Sequence, residues 1–357
     1  MSIFEAMSAE NFCGLCGIDF VEFSSSEPEK LHKLFIEFGF SLTHKHKSKN
    51  IDLYRQNDIT FMVNKEKNSF AWHFSKAHGP SACSMGWRFE NAEKGFEAAL
   101  KRGAKPATKS DFANSDGTGI PAIMGIGDSL IYFVDHFQDP HRYENMGFIK
   151  HDKPVIQATK DFIVVDHLTN NVEKGTMSQW ADFYKNIFGF YEIRYFDIRG
   201  SQTGLTSFAL RSPDGSFCIP INEADEQKSQ INEYLREYNG PGIQHIAFLT
   251  DNILGSLKKM EGTKVEMLDI DDEYYQSIFD RVPNVKEDHK EIRKRNVLID
   301  GDDKGYLLQI FTKNIIGPIF IEIIQRHNNL TFGEGNFTAL FRAIERDQEK
   351  RGVFQKN

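Results

Sequence analysis

The spacing of hydrophobic and polar residues repeats once along this chain of 357 residues. Three pairs of segments match in the same order, with one member in each half: residues 31–40 and 182–190, 59–64 and 217–222, and 78–89 and 239–248. The first pair has the apolar spacing of an amphipathic helix and ends in Phe-Gly-Phe, whereas the other two pairs have strand patterns. We therefore predict a duplicated domain.

The polar stretch 136–154 separates the two copies, so the predicted domains are residues 1–152 and 153–357. In each domain the order strand, helix, several strands occurs twice, and each strand pattern is short. Such an order predicts an α+β fold with open or barrel-like sheets, and it argues against a doubly wound parallel sheet.

The end of the chain predicts an amphipathic helix over residues 336–350, bounded by Gly335 and Gly352. Its apolar face follows the i, i+3, i+4, i+7 spacing at Phe337, Leu340, Phe341 and Ile344. Asn336 stands where it can cap this helix. By contrast, the segment 269–295 is mostly charged, and we expect an exposed insertion that carries no chemistry.

Composition and charge narrow the functional classes. Hydrophobic residues make up 40% of the chain and charged residues 26%, as is usual for globular proteins. The net charge of −8 gives no basic surface for nucleic acid or an anionic membrane, and no long apolar run predicts a membrane span. No secretion signal pattern opens the chain, and four cysteines are too few for a disulfide scaffold, so we expect a cytoplasmic protein.

Three predicted strands of the second domain each carry one metal-binding type of side chain among apolar residues: His167, His245 and Glu322. An ionised carboxylate between isoleucines and phenylalanines costs several kcal/mol unless a cation or strong hydrogen-bond donors meet it. The three residues are 78 and 77 positions apart, so only a closed sheet brings them together. Two histidines and one carboxylate leave open positions on a metal ion, as in non-haem Fe(II) oxygenases.

Structural roles are the alternative for these three residues. A histidine on an apolar strand is more often a hydrogen-bonded core residue than a ligand, and Glu322 could pair with a buried arginine. The repeat places the counterparts of the two histidines near Glu22 and Gly86, and that of Glu322 near Phe133. We therefore expect the first domain to lack a metal site and to serve in structure or assembly.

Four stretches resemble the 4-hydroxyphenylpyruvate dioxygenase family: GIQHIAFLTDNI (242–253), YLLQIF (306–311), GPIFIEIIQR (317–326) and FGEGNFTALFRAIERDQEKRG (332–352). The likeness covers essentially the whole chain, including the first domain. It implies the vicinal oxygen chelate fold, in which each domain is a pair of βαβββ modules, and this agrees with the repeat.

The resemblance also implies roles for individual residues. The implied Fe(II) ligands are His167, His245 and Glu322. The implied polar network around the substrate consists of Ser207, Asn222, Gln230, Gln244 and Gln309. The implied contacts to the substrate are Phe311 and Phe337, which enclose its ring, together with Pro220, Asn336 and Leu340. The helix 336–350 would gate the pocket mouth and exclude water.

The implied reaction combines 4-hydroxyphenylpyruvate with O2 and yields homogentisate and CO2, a step in tyrosine and phenylalanine catabolism. The carboxylate and keto oxygens of this aromatic 2-oxo acid would chelate the Fe(II), and the remaining position would take O2. Members of the family are dimers or tetramers, so the resemblance also implies a homo-oligomer.

Three other functions stay open at this point. A 4-hydroxymandelate synthase shares the metal ligands and the substrate but hydroxylates the benzylic carbon, although Pro220, Asn222 and Phe337 resemble the dioxygenase more. A ring-cleaving extradiol dioxygenase shares the fold and the ligands but acts on catechols. A metal-free protein that binds small aromatic molecules on the same fold has no use for a buried carboxylate at Glu322.

Overall fold

The computed structural model describes residues 10–200 and 203–353, and the predicted domain ends at residues 1 and 357 lie outside these ranges. The first sheet contains β1 (Leu15–Ser24), β2 (Ser41–His46), β3 (Ile51–Gln56), β4 (Ile59–Asn64), β5 (Ser81–Phe89), β6 (Ala122–Met124), β7 (Leu130–Val134) and β8 (Phe148–Val155). The second sheet contains β9 (Val165–Asn171), β10 (Tyr191–Arg199), β11 (Gly204–Arg211), β12 (Cys218–Glu223), β13 (Gly242–Leu249), β14 (Leu298–Gly301), β15 (Tyr306–Phe311) and β16 (Phe320–His327).

The helices within the described residues are α1 (Pro28–Glu37), α2 (Phe70–His78), α3 (Ala92–Lys101), α4 (Arg142–Asn145), α5 (Met177–Phe188), α6 (Gln230–Tyr238), α7 (Ile253–Lys259), α8 (Ile278–Arg281), α9 (His289–Lys294) and α10 (Phe337–Lys350). Short 3-10 helices cover Ile126–Asp128, Asp272–Gln276 and Glu334–Asn336. The chain leaves α1 and α5 through Gly39 and Gly189, whose positive φ angles of 83° and 84° favour glycine. Among the described helices, none combines the length and the apolar character that crossing a bilayer requires.

The second sheet has the strand order β10-β11-β12-β9-β13-β16-β15-β14. Each half of it is a βαβββ module whose first strand pairs in parallel with its last strand, β9 with β12 and β13 with β16. The two modules meet where β9 and β13 pair antiparallel. This architecture, followed by the helix α10, confirms the predicted α+β fold of paired βαβββ modules.

The first sheet has the order β6-β7-β5-β1-β4-β3-β2-β8 and differs in its second module. There only β6 and β7 accompany β5, while β8 crosses to the far edge and pairs antiparallel with β2. The predicted domain boundary after residue 152 falls within β8, and residues 153–155 continue the first sheet.

The outer faces of the two sheets and their helices share one hydrophobic core. In this core, Phe61 of β4 contacts Phe248 of β13, with ring centroids 5.8 Å apart. Trp87 of β5 contacts Phe188 at the end of α5, with a centroid distance of 4.9 Å. The two halves are therefore bound to each other by aromatic packing. We call the opposite face of each sheet its inner face.

The strand registers identify which residues of the first sheet correspond to the predicted metal ligands. In the second sheet His167 and Glu322 both pair with one residue of β13. In the first sheet Phe20 and Tyr132 both pair with Gly86 of β5. Phe20 and Tyr132 therefore stand at the positions of His167 and Glu322.

The observed counterparts of His167, His245 and Glu322 are Phe20, Ser84 and Tyr132. The counterparts predicted from the repeat, near Glu22, Gly86 and Phe133, differ from these by one or two residues. The pairings of β1 with β5 and of β9 with β13 are both irregular, and a sequence comparison does not detect such irregularities. A shift of one residue reverses the face of a strand, so Phe133 packs in the shared core and not on the inner face.

Aromatic rings fill the inner face of the first sheet. Phe20, Phe112 and Tyr132 contact one another, with ring centroids between 5.1 and 6.0 Å apart. A Cβ atom on Gly86 would lie 2.2 Å from the ring of Phe20, so the absence of a side chain there makes room for the ring. In this sheet, aromatic packing occupies the positions of His167 and Glu322, and Ser84 stands at that of His245.

Glu22 lies buried beside this aromatic filling and accepts hydrogen bonds from Ser84 and Asn64. Burial and the nearby carboxyl of Asp111 raise the pKa of Glu22 to about 7, from an ordinary value of 4.5. The folded state therefore binds this proton more tightly than the unfolded state does. Its contribution to stability is complete below pH 4.5 and is lost as the pH rises through about 7.

The variant Glu22→Gln is uncharged at every pH. We expect its free energy of unfolding at pH 8 to be about 2 kcal/mol higher than that of the unchanged protein. At pH 5 the difference should be much smaller, because the glutamate then holds its proton in the folded state. Urea denaturation at the two pH values measures both differences. An equal effect at pH 5 and pH 8 would contradict the raised pKa.

The charged segment 269–295 exposes most of its charged residues, as its composition predicts, but it is also packed onto the molecule. It contains α8, α9 and the 3-10 helix Asp272–Gln276, and it buries the side chains of Tyr275, Ile278, Val282, Val285 and Ile292. The hydroxyl of Tyr274 donates to Asn336, directly before α10. The charges lie on the outer side of the segment, while its apolar side packs against the second sheet.

Candidate active site

Three neighbouring strands bring the predicted metal ligands together. His167 lies on β9, His245 on β13 and Glu322 on β16, and these strands are adjacent in that order. The Oε2 atom of Glu322 lies 3.0 Å from Nε2 of His167 and 3.4 Å from Nε2 of His245. The two Nε2 atoms are 3.4 Å apart. One oxygen and two nitrogens thus converge on a single point.

The second ring nitrogen of each histidine is held by a hydrogen-bond acceptor. Nδ1 of His167 donates to Asp166 over 2.7 Å, and Nδ1 of His245 donates to Oε1 of Gln244 over 3.0 Å. In the neutral form of each ring, Nδ1 therefore carries the hydrogen and Nε2 directs its lone pair at the point of convergence.

Asp166 is in turn fixed by a buried arginine. Nε and Nη2 of Arg326 donate to its two carboxylate oxygens, each over 2.8 Å. Nη1 of Arg326 donates to the backbone oxygens of Asn329 and Thr331. The buried arginine of this region therefore pairs with Asp166, and Glu322 is left to face the two imidazoles.

The carboxylates and imidazoles shift one another's pKa. Burial opposes the charge on Glu322, but His167 and His245 lower its pKa to about 2. Burial also opposes the charge on His167, yet Glu322 and Asp166 raise its pKa to about 9. Burial lowers the pKa of His245. The carboxylate of Glu322 thus stays ionised, and the raised pKa of His167 shows that the site attracts positive charge. A bound cation would supply that charge.

Within residues 10–200 and 203–353, His167, His245 and Glu322 are the one group of His, Cys, Asp or Glu side chains whose ligand atoms lie close enough to hold a metal ion, all within 4.8 Å. Two neutral imidazoles and one carboxylate bind a divalent ion on one side and leave its other side open. The donor atoms, their protonation and their supporting hydrogen bonds therefore fit a divalent metal with free positions.

A cavity that opens to solvent adjoins these three residues. Its lining includes the predicted polar residues Ser207, Asn222, Gln230, Gln244, Gln309 and Asn336. It also includes the predicted apolar residues Pro220, Phe311, Phe337 and Leu340. The structure thus brings every residue assigned to the site to one cavity, while the role of each of them stays a prediction.

Comparison with known proteins assigns the chain to a family. Residues 9–149 match the family model "Hydroxyphenylpyruvate dioxygenase, HPPD, N-terminal", and residues 165–310 match the glyoxalase, bleomycin resistance protein and dioxygenase superfamily. Protein MelA of Shewanella colwelliana is 57% identical to this chain and covers 97% of it, over 99% of its own length. The 4-hydroxyphenylpyruvate dioxygenase of Legionella pneumophila (strain Corby) is 45% identical to this chain, and the match covers 98% of this chain and 99% of that enzyme. The chain belongs to the 4-hydroxyphenylpyruvate dioxygenase family.

A solved structure extends the likeness to the fold. A mutant of 4-hydroxymandelate synthase from Streptomyces coelicolor superposes on this chain with a TM-score of 0.82 at 23% sequence identity. The match covers 94% of this chain and 99% of the synthase chain. This member of the 4-hydroxyphenylpyruvate dioxygenase family therefore shares its fold with that structure over almost the whole of both chains.

Amide side chains of this family member connect the strands of the candidate site to neighbouring elements. Gln244 accepts from His245 through Oε1 and donates through Nε2 to Gln230 of α6, over 3.4 Å. Asn222 of β12 donates through Nδ2 to Oδ1 of Asn171 at the end of β9, over 3.2 Å. Because an amide nitrogen donates and an amide oxygen accepts, each of these bonds fixes the orientation of the amide involved.

The cavity also contains residues that sequence reasoning missed: Thr169, Phe196, Ile198, Leu205, Phe320, Phe332, Phe341 and Ile344. Thr169 follows His167 by two residues on β9, so strand alternation would have placed it on the same face. Phe341 and Ile344 belong to the apolar face of α10 that the helical spacing marked. Phe332 meets the ring of His167 at a centroid distance of 5.4 Å, and no periodic signal marks it because it lies outside the strands and helices.

Helix α10 covers the cavity with its apolar face. It extends from Phe337 to Lys350, so it begins one residue later than the spacing predicts. Asn336 does occupy the predicted cap position, but its side chain makes no capping bond. It bonds instead to Gln309 and Tyr274, because these partners lie on the site side of the helix start.

Proposed function

We propose that this protein is an Fe(II)-dependent enzyme that converts 4-hydroxyphenylpyruvate and O2 into homogentisate and CO2. The observation that carries the proposal is the convergence of His167, His245 and Glu322 beside a cavity lined by aromatic rings and amides. The relative from Legionella pneumophila, 45% identical, is named for the same substrate.

Fe(II) is the proposed metal because two imidazoles and one carboxylate on a single face are the ligand set of non-haem iron oxygenases. When bound, it would hold the carboxylate and keto oxygens of the substrate and activate O2 for oxidative decarboxylation and ring hydroxylation. Asp166 and Gln244 would keep the imidazoles of His167 and His245 oriented towards it.

The remaining residues of the cavity would position the substrate and keep water out. Phe311 and Phe337 would enclose the ring, with Pro220 and Leu340 at its margin. The proposed polar network, which would orient the phenol and the oxo acid, consists of Ser207, Asn222, Gln230, Gln244, Gln309 and Asn336. Helix α10 would close the cavity during the reaction, so that reactive species are not lost to solvent.

We propose further that residues 153–357 form the catalytic domain and that residues 1–152 serve in structure or assembly. The aromatic filling around Phe20 and Tyr132, at the positions of two metal ligands, supports this division. In this proposal the protein is a cytoplasmic homodimer or homotetramer that acts in tyrosine and phenylalanine catabolism.

Reconstitution tests the proposed reaction. Anaerobic addition of Fe(II), followed by 4-hydroxyphenylpyruvate and O2, should yield homogentisate and CO2, identified by chromatography. The variant His167→Ala should lose this activity, whereas His141→Ala, at an exposed histidine, should keep it.

Other products of the same experiment would contradict the proposal. Hydroxymandelate would indicate the sibling synthase, since only the hydroxylated carbon differs. Oxygen uptake with catechol but not with the oxo acid would indicate an extradiol dioxygenase. A protein that retains no iron and consumes no oxygen would be a binding protein.

A further inference from the structure

Three hydrogen bonds connect the charged segment 269–295 to the metal ligand Glu322. The hydroxyl of Tyr274 donates to Oδ1 of Asn336 over 2.7 Å. Nδ2 of Asn336 donates to Oε1 of Gln309 over 3.0 Å. Nε2 of Gln309 donates to Oε1 of Glu322, also over 3.0 Å. We call these four residues the relay.

The relay has one direction. Each amide accepts through its oxygen from the preceding residue and donates through its nitrogen to the next, so that every donor points towards Glu322. The backbone N–H of Ile299 donates to the hydroxyl oxygen of Tyr274 over 2.7 Å. The one hydroxyl hydrogen has two acceptors in reach, and Oδ1 of Asn336, at 2.7 Å, is nearer than the backbone oxygen of Ile299, at 2.9 Å. Burial raises the pKa of Tyr274 well above its usual range, so this hydrogen is present at neutral pH.

The relay engages one oxygen of Glu322 and leaves the other for a metal. Gln309 bonds Oε1, whereas Oε2 faces the Nε2 atoms of His167 and His245. A carboxylate whose Oε1 is engaged by Gln309 would present Oε2 to an ion, which would leave three positions free on a six-coordinate ion. Two substrate oxygens and one O2 molecule require three positions, so a bidentate Glu322 would leave one too few.

The relay also passes through the start of the covering helix. Asn336 is buried and directly precedes α10, whose residues Phe337 and Leu340 line the cavity. The backbone before it approaches Gln309 closely, since a Cβ atom on Gly333 would lie 2.1 Å from Oε1 of Gln309. Any displacement of this part of the chain therefore disturbs the amide that holds Glu322.

We propose that Tyr274 is a positioning residue that, through Asn336 and Gln309, holds Glu322 as a one-oxygen ligand and couples this state to the docking of α10. Tyr274 does not line the cavity, and its hydroxyl also bonds the backbone of Ile299 on β14, so its connection to Glu322 is through the relay. The inference rests on the proposed metal-dependent function.

The adjacent Tyr275 provides a matched control. Its hydroxyl donates to the backbone oxygen of Val297 over 3.1 Å, so Tyr275→Phe removes one hydrogen bond from the same segment without touching the relay. We expect Tyr274→Phe, loaded with Co(II) without substrate or oxygen, to change the visible absorption bands towards a higher coordination number. Tyr275→Phe should give the spectrum of the unchanged protein.

The Fe(II) forms of the two variants supply a second readout. Tyr274→Phe should lower kcat about tenfold with little change in KM, and should consume more than one O2 per product, because closure and ligand geometry are no longer coupled. Tyr275→Phe should keep kcat and a ratio of one. Should Tyr274→Phe fail to fold, Asn336→Asp removes the donor to Gln309 at nearly constant volume and should produce the same spectral change.

Identical Co(II) spectra and identical ratios of O2 to product in Tyr274→Phe and Tyr275→Phe would overturn the relay. A wild-type protein that neither binds Co(II) nor consumes O2 would instead overturn the proposed function. Co(II) binding and O2 consumption by the unchanged protein therefore distinguish a failure of the proposed function from a failure of the relay.

Discussion

Turnover should fall about 10³-fold when Glu322 is replaced by glutamine, which corresponds to about 4 kcal/mol of lost transition-state stabilisation. The variant keeps the size of the side chain and its bond to Gln309 but loses the negative charge that faces His167 and His245. Two neutral imidazoles alone bind a divalent ion weakly, so the metal should dissociate at micromolar concentrations. Steady-state oxygen uptake and the metal content after gel filtration measure the two effects.

Glu287→Gln is the matched control for this prediction. Glu287 is also a largely buried carboxylate, but it bonds Tyr306, Gln325 and His327 away from the three ligands. Its variant should retain metal and turnover. A Glu322→Gln protein that keeps both its metal and its rate would show that Glu322 is not a ligand.

Replacing Arg326 by methionine should lower the free energy of unfolding by about 3 kcal/mol, because Asp166 then remains as a buried carboxylate without its partner. Only 11% of the Arg326 side chain and 13% of the Asp166 side chain are exposed, so water cannot compensate. The same change frees the acceptor of His167 and should weaken metal binding. Denaturation in urea and a metal titration provide the two values.

A double variant tests the cause of this loss. Adding Asp166→Asn to Arg326→Met removes the unpaired charge, so most of the lost stability should return while metal binding stays weak. The surface variant Arg199→Met, at an arginine that is 61% exposed, should change stability by less than about 1 kcal/mol. If the double variant is as unstable as Arg326→Met, lost packing and not the buried charge explains the effect.

The fold could be predicted where a local pattern determines it. The same helix end occurs in both halves, where the apolar spacing stops at Gly39 and at Gly189. This shared pattern revealed the duplication. The crossing of β8 to the far edge of the first sheet could not be predicted, since strand pairing over such distances leaves no periodic signal. The same holds for the register of β1 with β5, which places Phe20 and not Glu22 at the counterpart of His167.

The candidate site could be predicted in part. His167, His245 and Glu322 stood out because polar groups among apolar strand residues need a reason to be there. Asp166 and Arg326 did not stand out, because a charge next to a strand face resembles an ordinary surface charge until its partner is known. Tyr274 was hidden for the same reason, inside a segment whose composition predicts exposure.

The ligand atoms come from residues up to 155 positions apart, and the last of them lies on β16, near the end of the polypeptide. A nascent chain that has emerged only as far as β15 offers two imidazoles and no carboxylate. All of the chain from β9 to β16 must therefore be synthesised before the three side chains can meet, so the proposed metal site forms only when β16 has joined the second sheet.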